Sequence, residues 1–103
     1  MSDYVTVAKT SDIQSGRGKA FTISGRRIAV FNDNEDFYAL DNACAHALGP
    51  LSRGRLRNGM VVCPIHGYAY DAKTGACQTD VRLHVKTYEM ILEGDEIKIK
   101  LLV

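Results

Sequence analysis

Two short segments of this chain each combine a cysteine with a histidine. One residue separates Cys44 from His46, two residues separate Cys63 from His66, and residues 47–62 lie between the two pairs. The chain therefore offers two thiolates and two imidazoles from two loops. A [2Fe–2S] cluster with mixed ligation uses this donor set, with two cysteines on one iron and two histidines on the other.

Three other uses of these residues remain open from the spacing alone. Two cysteines and two histidines also satisfy tetrahedral zinc, although zinc fingers usually pair Cys with Cys and His with His. A disulfide between Cys44 and Cys63, or one involving Cys77, is a second use, but the cysteine count is odd and nothing else indicates secretion. The third is that these side chains are core residues without a metal.

The pattern continues beyond the four residues, and it resembles the Rieske iron–sulfur proteins. The resemblance is strong over residues 40–80, and elsewhere it rests on strand layout alone. It is carried by the two Cys/His pairs and by Gly49-Pro50-Leu51-Ser52, Cys63-Pro64-Ile65-His66-Gly67, Tyr68-Ala69-Tyr70-Asp71 and Thr74-Gly75.

The resemblance implies a fold, a cofactor and a ligand set. The fold is all-β, with an antiparallel β-sandwich or barrel as base and a small cluster-binding subdomain at about 43–80, within one Rieske domain at 1–103. The cofactor is one [2Fe–2S] cluster per chain. Cys44 and Cys63 would hold the inner iron, and His46 and His66 the outer one.

Departures from the family pattern bear on the reduction potential. Rieske proteins of cytochrome bc complexes carry two further cysteines that clamp the cluster loops, and Gly49 and Ile65 stand at those positions here. The serine of the high-potential pattern is also absent. Both departures favour a soluble ferredoxin type near the low end of the family range of about −150 to +300 mV. Tyr70 occupies the tyrosine position, and we hypothesise that it donates a hydrogen bond to the sulfur of Cys44, which raises the potential. The alternative is that Tyr70 simply packs as a strand residue.

Size and composition exclude several classes of function. The chain has 103 residues, of which 46% are hydrophobic and 24% charged, and a formal net charge of +1. A nucleic-acid binder would need a strong basic excess. No apolar run approaches the ~20 residues of a membrane span, and the first residues lack the pattern of a secretory signal. We expect a cytoplasmic protein without nucleic-acid or membrane partners.

The remaining sequence is dominated by short strand patterns separated by turns, which is typical of antiparallel sandwiches and barrels. A single helical turn is predicted to start at Ser11 or Asp12. Turns are predicted at Ser24-Gly25, 32–35, 72–75 and 93–95. Strands are predicted at Val5–Val7, Gly18–Ser24, Arg27–Phe31, Phe37–Leu40, Gly59–Val62, Tyr68–Asp71, Val85–Leu92 and Ile97–Leu101.

Several reactive or charged residues lie outside the two motifs. Cys77 is interpreted as a free thiol and His84 as an ordinary strand or loop histidine. The basic run Arg53, Arg55 and Arg57 is interpreted as a solvated turn in preference to a docking site for an acidic partner. The apolar residues beside the ligands either form an exposed rim for docking or seal the cluster: Ala47, Leu48, Pro50, Leu51 and Ile65.

The function implied by the resemblance is that of an electron carrier, not an enzyme. A ferredoxin of this type takes electrons from an NAD(P)H-dependent flavoprotein ferredoxin reductase and passes them to the terminal oxygenase of an aromatic-hydrocarbon dioxygenase system. We expect a monomer. The alternative is the small Rieske subunit of an assimilatory NAD(P)H nitrite reductase, and a zinc-stabilised interaction module is a remote second alternative.

Overall fold

The computed structural model describes residues 4–44, 49–65 and 67–100, and these fold into strands joined by short turns. Two 3₁₀ turns, Thr10–Asp12 and Leu51–Arg53, complete the described elements. The first of them lies at the predicted helical turn, but it begins at Thr10, before either predicted start. The strands are β1 (Tyr4–Lys9), β2 (Arg17–Ile23), β3 (Arg26–Asp33), β4 (Asp36–Asp41), β5 (Arg55–Arg57), β6 (Met60–Val62), β7 (Ala69–Asp71), β8 (Thr87–Tyr88), β9 (Met90–Glu93) and β10 (Glu96–Lys100).

The strands form three antiparallel sheets. The first sheet has the order β1-β10-β9, the second β2-β3-β4-β8, and the third β5-β6-β7. The first sheet joins both ends of the described chain, since Tyr4 pairs with Lys100. The all-β antiparallel architecture predicted from the sequence is confirmed. The third sheet falls inside the stretch 43–80, whose boundaries as a subdomain stay a prediction.

The second sheet is the middle layer of the molecule and is buried on both faces. Because side chains alternate along a strand, Ile28 and Val30 of β3 face one hydrophobic cluster while Ala29 and Phe31 face another. The first cluster includes Ile97 and Ile99 of the first sheet, and the second includes Val61 and Tyr70 of the third sheet. Burial on both faces explains the uninterrupted apolar run of β3. The second of these clusters also contains Cys44 and Cys63, so the candidate site packs against one face of the middle sheet.

Two predicted boundaries were wrong because hairpin turns are shorter than composition suggests. β3 extends to Asp33, and the turn predicted at 32–35 consists of Asn34 and Glu35 alone, with φ of 52° and 73°. Two consecutive residues with positive φ match the twist of the flanking strands, which makes this turn type favourable in hairpins. Asn32 stabilises the turn, since its side-chain oxygen accepts the N–H of Glu35 at 2.8 Å.

The interpretation of the arginine run as a solvated turn was also wrong for two of its members. Arg55–Arg57 form strand β5, which pairs with β6. The turn between these strands is Asn58-Gly59, again with two positive φ values. Asn-Gly flanked by strand residues is the strongest short-range hairpin signal, so this strand could have been found from the sequence.

The single strand predicted at Val85–Leu92 is two strands in different sheets. Thr87 and Tyr88 pair with β4 of the second sheet, whereas β9 pairs with β10 of the first. The chain passes between sheets at Glu89, and a period-two pattern cannot reveal such a change of partner. Leu101, the predicted end of the last strand, lies outside the described residues.

No helix in the described parts of the chain is long and apolar enough to cross a membrane.

Gly75 ends the turn that leads out of β7. Its N–H donates to the carbonyl oxygen of Asp71 at 2.7 Å, and its φ is +80°. A Cβ at this position would lie 2.1 Å from the carbonyl oxygen of Val85. Gly16 has nearly the same φ, +81°, but open space around it.

We predict that Gly75→Ala lowers the free energy of unfolding much more than Gly16→Ala does. The left-handed backbone alone costs about 1–2 kcal/mol for alanine, and the clash with Val85 should raise the loss at Gly75 to about 3 kcal/mol. Urea unfolding followed by circular dichroism, at matched iron content, measures both variants. Equal losses for the two would show that the contact with Val85 does not matter.

Candidate metal centre

The first cysteine opens a loop that is tightly closed at its base. The N–H of Cys44 donates to the carbonyl oxygen of Gly49 at 2.8 Å, and Ala43 forms an isolated bridge with Pro50. The chain then enters the second 3₁₀ turn, whose Leu51 is fully buried. His46 falls inside this closed loop in the sequence, but it lies outside the described residues.

The second cysteine opens a loop closed in the same way. The N–H of Cys63 donates to the carbonyl oxygen of Tyr68 at 2.7 Å, and the N–H of Gly67 donates back to the Cys63 carbonyl at 3.0 Å. In both loops the cysteine N–H therefore binds the carbonyl five residues further on. His66 falls inside the second loop in the sequence and also lies outside the described residues.

The two cysteine sulfurs meet in the core. Cys44 is 0% exposed and Cys63 1% exposed, and the side chain of Cys44 is a hydrogen-bond partner of Cys63. Burial raises the pKa of the Cys63 thiol, the backbone N–H of Ile65 lowers it by binding the sulfur, and the adjacent Cys44 raises it again. A second buried thiolate is unfavourable beside the first without a compensating cation.

This donor set fits the sulfur side of an iron–sulfur centre. Two adjacent buried thiols can both lose their protons once iron supplies positive charge between them. The backbone N–H of Ile65 points at one sulfur, and such donors stabilise metal-bound thiolates. All three cysteines are free, which excludes the Cys44–Cys63 disulfide and any disulfide to Cys77 in this structure.

Tyr70 approaches the other sulfur from within the core. Its hydroxyl oxygen lies 3.0 Å from Sγ of Cys44, and the whole side chain is buried. Because an iron-bound thiolate has no proton, the hydroxyl is the donor in the loaded protein. The predicted contact between Tyr70 and Cys44 is confirmed, although β7 also packs Tyr70 as an ordinary core residue.

The two positions at which the resemblance places clamping cysteines lie against each other. A Cβ on Gly49 would be 2.3 Å from Cγ1 of Ile65 and 3.3 Å from Sγ of Cys63. The two loops therefore meet here through van der Waals contact, and only glycine leaves room for it. Ile65 is 47% exposed, so it both covers Gly49 and presents apolar surface.

Asn42 positions the first loop, and sequence reasoning missed it. Its carbonyl oxygen accepts the N–H of Leu51 at 2.7 Å, its side-chain oxygen accepts the N–H of Ser52 at 2.9 Å, and its own N–H donates to Arg27 at 3.0 Å. The side chain is 7% exposed. A polar residue at the end of a strand, two positions before a candidate ligand, is the signal that could have identified it.

The other residues singled out in the sequence are only partly brought to the site. Leu51 is buried in the same cluster as the cysteines, whereas Ala47 and Leu48 lie outside the described residues. Cys77 is buried in the same cluster and its backbone bridges Tyr70. His84 is exposed and bridges Ala76, so it is a loop residue as predicted.

Comparison with known proteins decides the family. The model of the Rieske [2Fe–2S] domain matches residues 3–89. The chain belongs to this Rieske family. The cofactor predicted from the sequence, a [2Fe–2S] cluster, is confirmed with it.

Individual relatives agree with this assignment. The ferredoxin component of the naphthalene 1,2-dioxygenase system of Pseudomonas aeruginosa is 32% identical over 99 residues, which are 95% of each chain. A chain in the complex of reduced oxygenase and oxidized ferredoxin of carbazole 1,9a-dioxygenase is 25% identical, with a TM-score of 0.87 over 97% of this Rieske chain and 94% of that chain. These relatives confirm the prediction of an electron-transfer ferredoxin over that of an enzyme.

The alternative function, the small Rieske subunit of a nitrite reductase, also has a structural neighbour. A protein described as the NADH-dependent nitrite reductase small subunit of Mycobacterium tuberculosis is 24% identical, with a TM-score of 0.89 over 97% of this chain and 96% of that one. At this identity the likeness shows the shared Rieske fold alone.

We predict that Tyr70→Phe lowers the reduction potential by roughly 45 mV. The hydrogen bond from the hydroxyl to the sulfur is stronger in the reduced cluster than in the oxidised one, by a free energy of about 1 kcal/mol. For one electron, ~59 mV corresponds to a tenfold change in the equilibrium constant, which converts this free energy into the predicted shift. Redox titration followed by absorbance gives the midpoint. Tyr88→Phe is the matched control, because Tyr88 belongs to the other core cluster and its hydroxyl donates to Asp41. An unchanged midpoint in Tyr70→Phe would leave Tyr70 with a packing role only.

We predict that Gly49→Ala reduces the iron and sulfide bound per chain, and that adding Ile65→Ala restores it. The new methyl group collides with Ile65, and overpacking of this kind costs about 1–3 kcal/mol. Removing the Ile65 side chain gives the methyl group space. If the double variant binds as little iron as Gly49→Ala, the defect comes from the contact with Cys63 instead.

Proposed function

We propose that this chain is the one-electron carrier of a multicomponent aromatic-ring dioxygenase system. It takes electrons from an NAD(P)H-dependent flavoprotein reductase and delivers them to a terminal Rieske oxygenase. The single observation that carries the proposal is the adjacent buried pair Cys44 and Cys63, set at the start of two identically closed loops. The ferredoxin relatives over nearly the whole chain support the same function.

The ligand set completes this proposal. Cys44 and Cys63 hold one iron from the core side, and His46 and His66, inside the same two loops, hold the other. The cluster supplies one-electron redox chemistry when bound. The chain's own residues keep water from the sulfurs, since Leu51 and Tyr70 are fully buried in the same cluster. The Tyr70 hydroxyl also donates a hydrogen bond that raises the potential.

We further propose that the carrier acts as a monomer in the cytoplasm. Cys77, the cysteine outside the proposed ligand set, is a free and buried thiol, and structural disulfides are rare where thiols are kept reduced. The absence of a disulfide between the loops fits a reducing compartment, because Gly49 and Ile65 replace the clamp by simple packing.

The ligand assignment predicts a sharp division among the cysteines and histidines of this chain. Cys44→Ser and His66→Ala should lose most of the bound iron, because an iron left with one protein ligand exchanges readily. Cys77→Ser and His84→Ala should keep the wild-type iron content, since neither belongs to the proposed set. Iron and acid-labile sulfide per chain, with the reduced-state electron paramagnetic resonance spectrum, measure the outcome.

Two results would contradict this assignment. The first is full iron content in His66→Ala, and the second is loss of the cluster in His84→Ala. A colourless wild-type protein that is folded and binds zinc, without sulfide, would favour the interaction module instead.

The carrier function itself is tested by adding this chain to a dioxygenase system in place of its own ferredoxin. The reductase and oxygenase of the Pseudomonas aeruginosa naphthalene 1,2-dioxygenase system are combined with NADH, without their own ferredoxin. We expect the cluster-loaded chain to restore a measurable part of the NADH-dependent oxygenation of naphthalene. A loaded chain that restores none, and that co-purifies from its source with a sirohaem protein, would assign it to nitrite reductase.

A further inference from the structure

Four arginines line one hollow on the surface, which we name the arginine hollow. It has a volume of about 500 Å³ and is lined by Arg17, Arg53, Arg55 and Arg57, together with two glycines and Leu56. All four arginine residues are exposed. The described residues that line it include no acidic side chain, so its charge is of one sign.

Strand β5 presents two of these charges away from the core. Arg55 and Arg57 are two residues apart and share one face of the strand. Leu56, between them, packs on the other side against the hydrophobic cluster that contains Cys44 and Cys63. The arginine face of β5 is therefore the outer surface of the sheet that holds the candidate metal centre.

The arginine hollow is connected to the candidate centre by two short routes. Arg55 pairs with Val62, which directly precedes Cys63. The N–H of Arg53 donates to the carbonyl oxygen of Pro50 at 3.0 Å, and Pro50 follows Gly49, whose Cβ position is 3.3 Å from the sulfur of Cys63. A partner seated on this surface would lie beside the loop that carries one of the proposed cluster ligands.

The charge of the chain is strongly uneven as a result. The chain has 13 basic and 12 acidic residues. Without the four arginines of the arginine hollow, nine basic and twelve acidic residues remain, so the rest of the chain has a net charge of −3. Within the described residues, the ion pairs are Arg82–Asp80, Lys98–Glu93 and Lys100–Glu89. None of them involves the arginine hollow, whose charges therefore act outward.

We propose that the arginine hollow is the docking surface for an acidic electron-transfer protein, an inference that rests on the proposed carrier function. Guanidinium groups pair with carboxylates in a fixed fork geometry. A small positive surface on an otherwise negative molecule also orients the approach of an acidic partner and raises the association rate without tight binding. A carrier that must leave its partner after each electron needs this kind of contact. A nucleic acid would instead require a basic excess over the chain as a whole.

The test uses two haem proteins of opposite surface charge as electron acceptors. The cluster-loaded chain is reduced, freed of reductant and mixed by stopped flow with cytochrome b5, which is acidic, or cytochrome c, which is basic. The variants are Arg55→Gln/Arg57→Gln and, as a second pair, Arg17→Gln/Arg53→Gln. The matched control is Lys98→Gln/Lys100→Gln, which removes two charges at the same spacing from β10 in another sheet.

We expect each arginine pair to slow electron transfer to cytochrome b5 by about fivefold or more at low ionic strength. Transfer to cytochrome c should stay the same or become faster, and the differences should vanish near about 0.5 M salt, where charges are screened. The lysine control should change the cytochrome b5 rate by less than twofold.

Three outcomes would overturn the docking proposal while the cluster is present. They are an unchanged cytochrome b5 rate in both arginine variants, an equal loss in the lysine control, and inhibition by inorganic phosphate far beyond that of sodium chloride at equal ionic strength. The last would identify a site for small anions. A wild-type chain without a cluster would overturn the carrier function instead, so the two failures are distinguishable.

Discussion

The candidate centre depends on one costly arrangement, the placement of two cysteine sulfurs side by side in the hydrophobic core. A buried charge is unfavourable unless it is paired, and here burial and a neighbouring sulfur both raise the pKa of Cys63. The surrounding structure does not relieve this cost by exposing the sulfurs. It holds them in place through two closed loops, a buried asparagine and a tyrosine hydroxyl, so that a metal centre can supply the missing positive charge.

The fold separates this costly region from a second, ordinary core. The cluster of Ile28, Val30, Ile97 and Ile99 joins the first two sheets and contains no cysteine. The cluster around Cys44 and Cys63 joins the middle sheet to the third. Since β3 faces both, the middle sheet is stabilised from one side independently of the metal centre. The third sheet has only three strands of three residues each, so its order depends more on the loops that the cluster would tie together.

The sequence predicts the parts of this structure that are fixed by local chemistry. Asn34-Glu35 shows the limit, because these two residues alone make a hairpin turn that composition spreads over four. Asn58-Gly59, by contrast, is itself a hairpin signal that was overlooked beside the arginines. Cys44 and Cys63 could be proposed as partners from their spacing with two histidines. The loops that carry them also meet where Ile65 packs on Gly49, and this steric fit between loops is encoded by no local pattern. The prediction of one strand across Glu89 was wrong for the same reason, because a change of sheet depends on which partner strands are available.

The two faces of the third sheet have different surroundings and different roles. On the inner face, Tyr70 contacts the sulfur of Cys44 and Leu56 packs beneath the centre. On the outer face of β5, Arg55 and Arg57 border the arginine hollow. Because neighbouring strand residues point to opposite faces, inner substitutions act on the potential through hydrogen bonds to sulfur, while outer ones act on the choice of partner through charge. An electron carrier needs both properties to be adjustable, and this alternation lets a partner surface change by single residues without disturbing the sulfur environment a strand's thickness away.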